Sequence, residues 1–513
     1  MKRAVLAILL FSISQFRAQT QGYEIKINIK GAPDVKFYLA KYYFDQTVMV
    51  DSCKNTKPGV GTFKGDKALD RGVYILVSEG KGRYIDFFVD DSQKFALNAD
   101  IADMISTINA AGSNENNQIF SYAKFMTAKE KEYKSKLEQT KGKSKADSTK
   151  LMTEAQQKIA KDIQVWEADF LNRNKGTFVY DFINLKTEKT TTNVPMASNG
   201  RPDSLYQYYY YVDHYFDGVN FKDERILYTP FFADRIKRFF DQVIVQHPDT
   251  VIKQMDKILK QCEPGLLMNT LIGHFTYKYE TNKAMSFDQY GNCNTFEKVF
   301  VHLADNYITN GTAKDIYDEE TIAKIKEKVN ILRNLLPGAK VADLHMIDTT
   351  YGKQVLAMGF DTARTSAGVT FLYNKNYEKL QPLFRSLSQI NAKYTVLVFW
   401  AVDCGHCQTE IPKLHADLEK IRNSVDVKVY AVQTKEDLYK DWKKFLAEKK
   451  LIHFTHVFDP IHLNNLKETF DIQGTPVIYL LDRDKKIKAK KIAADQVVEI
   501  LQNLENIEKN LKR

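Results

Sequence analysis

Cysteine is scarce in this chain: Cys53, Cys262, Cys293, Cys404 and Cys407 are the only five in 513 residues. A fold stapled by disulfides needs a denser set, so this one must stand on its apolar cores. Long apolar runs are missing too. No stretch reaches the roughly 20 apolar residues that a membrane-spanning helix requires. Charge of one sign is nowhere concentrated: 74 basic residues face 64 acidic ones, the formal net charge is +10, and the lysines are scattered. No basic stripe interleaved with aromatics stands out, which argues against a nucleic-acid partner. What is present is 44% hydrophobic residues in a chain long enough for roughly two to four domains.

The first residues carry a separate message. Lys2 and Arg3 precede a short apolar run over residues 4–13, and a polar stretch ends at Ala18. This is the layout of a secretory signal peptide, expected over residues 1–18 with cleavage after Ala18, although Phe16 is an unfavourable residue three places before the break. The first cysteine, Cys53, lies far from this segment, so a lipid-anchored N-terminus is not expected. The mature protein is expected to be soluble and periplasmic.

Residues 23–29 read Tyr-Glu-Ile-Lys-Ile-Asn-Ile, apolar at every second position, the pattern of a half-buried strand. Similar runs occur at 36–40, 73–77, 85–89 and 94–97, separated by Gly and Asp clusters, which predicts a small antiparallel β domain over 22–112. The Gly-rich run at 58–65 lacks both the spacing and the following helix of a phosphate loop, and reads as a turn feeding a strand. From 113 to 336 the periodicity is helical. The charged stretch 129–161 suits an exposed helix or helical hairpin. Aromatic groups at Tyr206–Tyr211, Tyr215 and Phe216, and at Phe231, Phe232, Phe239 and Phe240, read as stripes facing a core. Pro337-Gly338 breaks the pattern, and residues 337–513 alternate strands and helices, an α/β arrangement. Short strand-like runs up to Leu372 lead to a strand at 395–400, then Cys404-Gly405-His406-Cys407, a helical pattern through Leu414, Leu418 and Ile421, and a strand at 427–432. A helix at 436–449, strands at 477–481 and 487–491 and a final helix follow.

A Cys-x-x-Cys at a strand-to-helix junction has a physical purpose. Unpaired amide N–H groups and the dipole of the first helical turn favour negative charge on the first sulfur. The thiolate is the form that attacks disulfides. Cys404 is therefore the expected nucleophile, Cys407 the expected resolving thiol, and a protonated His406 would add positive charge beside Cys404. A zinc site would need a second cysteine pair, which is missing, so no metal is expected. His453, His456 and His462 read as ordinary surface or core histidines.

Residues 396–407, Val-Leu-Val-Phe-Trp-Ala-Val-Asp-Cys-Gly-His-Cys, resemble the active-site strand, loop and helix start of the thioredoxin superfamily. Pro412 falls where that family kinks its active-site helix, and Gly474-Thr475-Pro476 is similar to its cis-proline loop. Glu410 with Pro412, and the lead-in Ala342-Asp343-Leu344 with Gly352-Lys353, resemble the TlpA/ResA branch of envelope proteins. The resemblance implies a thioredoxin fold over 337–513 and thiol–disulfide exchange by Cys404 and Cys407. It also implies a client-binding surface at Trp400, Gly405, Thr475 and Pro476, and no cofactor beyond the redox-active Cys404–Cys407 disulfide. The expected partners are client proteins with disulfides or thiols and a membrane-embedded thiol electron donor or acceptor. Residues 22–125, with Gly61-Thr62-Phe63 and Asn114-Glu115-Asn116, resemble an uncharacterised β domain found ahead of such domains. The stretches 221–231 and 246–249 resemble an uncharacterised helical companion.

Departures from the family qualify this reading. Val398 occupies the place of a buried acid, or of an asparagine in the ResA-like branch; an acid there helps deprotonate the second cysteine. Gly405-His406 matches the interior of protein disulfide isomerase, whose potential is about −180 mV against about −270 mV for thioredoxin. That difference, roughly 4 kcal/mol, places the expected potential nearer the isomerase end. A peroxiredoxin-like peroxidase would need a threonine where Ala401 stands and a proline where Leu397 stands. A binding or scaffold role for the first 330 residues, with exchange secondary, is the other alternative. Cys53, Cys262 and Cys293 read as buried bystanders.

Overall fold

The computed structural model describes residues 22–80, 82–191 and 193–511, and the signal peptide expected over 1–18 lies outside them. The described chain forms two compact units. One comprises residues up to 244 with 260–267, and the other comprises 245–259 with 268 onward. Among the described residues no helix is long and apolar enough to cross a membrane.

In the first unit, two four-stranded sheets enclose a core. The period-two pattern at the start becomes the strand Tyr23–Lys30, with Tyr23, Ile25, Ile27 and Ile29 turned inward. They pack with Phe37, Phe63, Phe87 and Phe95 from other strands. Fully burying a side chain of this size contributes about 1.5–3 kcal/mol. Pairing is antiparallel throughout these sheets except between Tyr23–Lys30 and Lys94–Asp100, which run parallel. The Gly-rich run contains the strand Val60–Gly65, where a Cβ on Gly61 would fall 2.8 Å from the Cys53 sulfur; glycine there serves close packing.

Helices Asn114–Glu138 and Lys145–Arg173 form a hairpin, each begun by a serine (Ser113, Ser144) whose side chain accepts an amide of the first turn. Phe125 stacks on Trp166 with centroids 4.1 Å apart, so the charged stretch rests on an aromatic seam. Arg225 clamps the buried Asp90 carboxylate with contacts of 3.0 and 2.9 Å, tying helical segment to β sheet. The aromatic stripes divide: Tyr215, Phe232, Phe239 and Phe240 are buried, whereas Tyr206 and Tyr209 on Ser204–His214 face solvent.

The second unit carries a seven-stranded sheet in the order Phe384–Ser386, His345–Asp348, Phe454–Phe458, Val427–Gln433, Tyr394–Trp400, Val477–Asp482, Ile487–Lys490. The central strand Tyr394–Trp400 is buried at all seven residues, which accounts for its unbroken apolar run. Val396, Val398 and Trp400 face one layer, with Cys407, Ile411 and Leu414; Leu397 and Phe399 face the other, with Tyr430, Phe470 and Tyr479. Residues 366–380, read as strand-like in part, form the helix Ser366–Leu380. The Thr365 hydroxyl accepts the Gly368 amide at 3.1 Å and starts it, a local cap that outweighs the strand preference of Val369, Thr370 and Phe371. On the helical side, Glu297 and Lys490 form an ion pair whose side chains are only 5% and 3% exposed.

Candidate active site

The central strand ends at Trp400, and the chain turns through Ala401, Val402 and Asp403 into the helix Gly405–Ile421. Cys404 is the N-cap of that helix: its backbone is extended, and its sulfur accepts the Cys407 amide N–H at 3.2 Å. A sulfur so placed receives one of the orphan donors of the first turn and lies at the positive end of the helix dipole. The Cys407 thiol, one turn on and fully buried, donates to Cys404 Sγ across 2.6 Å, and both cysteines are in the free form.

The two thiols are pushed apart in acidity. Partial burial raises Cys404, but the Cys407 thiol, the Thr475 side chain and the amides of Cys407 and His406 outweigh it, and its pKa falls below the ordinary value. Burial, reinforced by the neighbouring Cys404 sulfur, raises Cys407 to about 11. This is the asymmetry that a nucleophile and a resolving partner require.

Thr475 and Pro476 arrive from the loop before Val477–Asp482, joined by a cis peptide bond. The Cys404 thiol donates to the Thr475 carbonyl oxygen at 3.3 Å, so the loop and the Cys-x-x-Cys meet. Gly405 is exposed, and a Cβ there or at Gly474 would meet nothing within 4 Å, leaving the surface around the sulfurs open. His406 is exposed on the first turn. Trp400 is placed otherwise than expected: it is fully buried with its ring 5.8 Å from that of Phe445, so it supports the site from behind and offers no face to a client. Alternation along the strand turns Trp400 inward with Val396 and Val398. Pro412 lies within the helix.

Three neighbours escaped the sequence reading. Thr434 donates to the Trp400 carbonyl through its amide at 2.9 Å and its hydroxyl at 3.2 Å, which pins the start of the next loop. Lys435 follows, its ammonium 2.5 Å from an Asp403 carboxylate oxygen and near enough to Cys404 for the charges to interact. Gln433 pairs with Trp400 across the sheet and is buried on the face that holds Val398. Nothing short of the strand register would have placed these three residues near the cysteines.

The remaining cysteines, Cys53, Cys262 and Cys293, are buried. Burial pushes Cys53 up to about 11, and Cys262 and Cys293 up to about 12, well outside the range of a reactive thiol. His456 is buried and bonded through Nε2 to the Leu451 carbonyl at 2.8 Å, a core histidine. Among the described residues no group of three His, Cys, Asp or Glu side chains is arranged to hold a metal ion.

Residues 381–490 match the AhpC/TSA family, residues 132–330 a domain of unknown function, DUF5106, and residues 23–119 a second, DUF4369. The crystal structure of a domain of a possible thiol-disulfide isomerase from Cytophaga hutchinsonii shares 33% identity over 96% of its length and 34% of this chain, with a TM-score of 0.26. This chain belongs to the thioredoxin-like thiol–disulfide oxidoreductases. A thioredoxin-like protein from Bacteroides caccae is similar at 18% identity over 99% of its length and 62% of this chain, TM-score 0.31. A putative thiol:disulfide interchange protein DsbE from Chlorobium tepidum is similar at 21% identity over 96% of its length and 33% of this chain, TM-score 0.24. No curated protein matches the chain. In this thioredoxin-like oxidoreductase the β sheets and the helical region precede the redox domain.

Proposed function

We propose that the protein exchanges a Cys404–Cys407 disulfide with client proteins of the cell envelope. The observation that carries the reading is the N-capping Cys404 sulfur, acidified, with the buried, far less acidic Cys407 sulfur 2.6 Å away. In the reducing direction the Cys404 thiolate attacks a client disulfide, forms a mixed disulfide and releases one client thiolate. Cys407 then loses its proton and attacks Cys404 Sγ, closing the Cys404–Cys407 disulfide and releasing the second client thiolate. Two electrons pass to the client, and a membrane-embedded thiol donor restores the dithiol. Isomerisation uses the first step, with the client's own thiol displacing Cys404.

Gly405, Thr475 and Pro476 form the surface against which the client chain lies, with His406 beside the attacking sulfur. The signal sequence expected over 1–18 supports export to the periplasm. Ala401 has no hydroxyl to orient a peroxide, which disfavours a peroxidase.

The test is to trap envelope proteins on full-length Cys407→Ala. Mixed disulfides that disappear in Cys404→Ser/Cys407→Ala support the exchange reading. If none accumulates while the N-terminal region still retains a partner, the scaffold reading replaces it.

A further inference from the structure

The first unit contains an apolar cavity of about 680 Å³ that thiol exchange does not use. Its wall is built from Met104, Ile108, Ile119, Phe120, Phe182 and Ile183, contributed by the end of the β region, the Asn114–Glu138 helix and the Phe178–Asn184 helix. The volume falls in the range of roughly 300–1,000 Å³ typical of small-molecule sites. An apolar lining of this size, opening to the surface, loses free energy to water unless something apolar covers it.

The polar groups at the rim are not equivalent. Arg83 and Asp86 neutralise one another, and Tyr42 donates its hydroxyl to Asp86 at 3.3 Å. Glu167, beside the cavity, accepts the Tyr122 hydroxyl at 2.6 Å. Lys186 differs. Its ammonium lies 5.6 Å and 5.3 Å from the ring centroids of Tyr122 and Phe231, and it forms no ion pair among the described residues. Lost hydration lowers its pKa, with the Glu167 charge opposing. A cation held over two aromatic faces, with the Glu167 carboxylate already accepting the Tyr122 hydroxyl, gains from an anion that brings its own apolar tail.

We infer that this cavity binds an anionic amphiphile, a long-chain carboxylate whose acyl chain fills the apolar wall and whose head group pairs with Lys186. Lys186, which forms no ion pair among the described residues, favours such a ligand over an uncharged apolar peptide segment.

The experiment is isothermal titration calorimetry of the full chain with dodecanoate and with the uncharged 1-dodecanol. Dodecanoate should saturate a single site below its micellar range. Lys186→Met should weaken dodecanoate by about tenfold while leaving dodecanol unchanged. Ala123→Phe, which fills the cavity from its lining, should weaken both. Lys186 is at the rim and solvent-reachable, so its variant decides the question even where Ala123→Phe fails to fold. Absence of saturable dodecanoate binding overturns the inference. So does an unchanged dodecanoate affinity in Lys186→Met, or saturable binding of an unfolded apolar peptide that dodecanoate does not displace.

Discussion

The Cys404 thiol donates to the Thr475 carbonyl oxygen at 3.3 Å, bringing together two residues 71 positions apart in the chain. That contact favours the protonated sulfur, whereas the Cys407 thiol and the Cys407 amide favour the anion; the balance lies with the anion. Alkylation with iodoacetamide should therefore modify Cys404 with a midpoint below that of an unperturbed cysteine, and Cys407 only near pH 11. Replacing Cys407 by Ala removes a donor and should move the Cys404 midpoint upward. Equal reactivity of the two thiols at neutral pH would contradict the assignment of their roles.

Lys435 supplies a second, weaker influence on the same sulfur. Held on Asp403 at an exposed position, it acts through solvent and is screened by salt. Lys435→Gln should slow Cys404 alkylation slightly at low ionic strength and leave it unaltered at high salt. An effect that persists at high salt would mean that the substitution acts by rearranging the loop.

His406 bears on the equilibrium potential, which glutathione titration measures. The value should lie nearer about −180 mV than about −270 mV, and His406→Pro should lower it. A wild-type potential at or below about −270 mV would remove the link between Gly405-His406 and oxidising power.

The Glu297–Lys490 pair is almost fully shielded from water, with the Lys283 ammonium 3.8 Å from Glu297. Removing one partner strands a charge in the interior, and Glu297→Ala should cost about 3–5 kcal/mol. The double change Glu297→Leu with Lys490→Met should cost much less, because neither charge remains. Denaturant titrations of the three proteins check this; a double variant as unstable as the single one would show that packing, not charge, dominates.

His456 gives stability a pH dependence of known sign. Burial depresses its pKa from 6.5 to about 4, so between those values the unfolded chain binds a proton that the folded chain refuses. Stability attributable to this residue is complete above pH 6.5 and is lost as pH falls toward 4, by about 3 kcal/mol in total. His456→Gln keeps a donor for the Leu451 carbonyl and cannot titrate. Its unfolding free energy should fall less than that of the wild type between pH 7 and pH 5.

The redox motif was legible because its chemistry is local: a strand, two cysteines three residues apart and a helix start are adjacent in sequence. Thr475 and Pro476 could be joined to it only through family resemblance, since nothing within residues 474–476 points to Cys404. Trp400 misled for a different reason. Its neighbours in sequence are the active-site loop, but strand alternation, set by the sheet, turns its side chain into the core. The parallel pairing of Tyr23–Lys30 with Lys94–Asp100 was equally hidden, because a period-two pattern marks a strand without naming its neighbour. Tyr206 and Tyr209 repeat at helical spacing as core residues do, yet the helix Ser204–His214 buries only Val212. Lys435 and Glu297 depended on contacts that no window of sequence contains.

The two ends of the seven-stranded sheet have a consequence for behaviour at high concentration. One border is the three-residue strand Phe384–Ser386, too brief to template another chain. At the other border, Ile487 exchanges backbone hydrogen bonds with Gly338 and Ala339, and Lys490 is drawn inward rather than left on a flat apolar rim. A foreign strand finds little backbone to extend at either side, so the domain can be concentrated without its sheets joining edge to edge into aggregates.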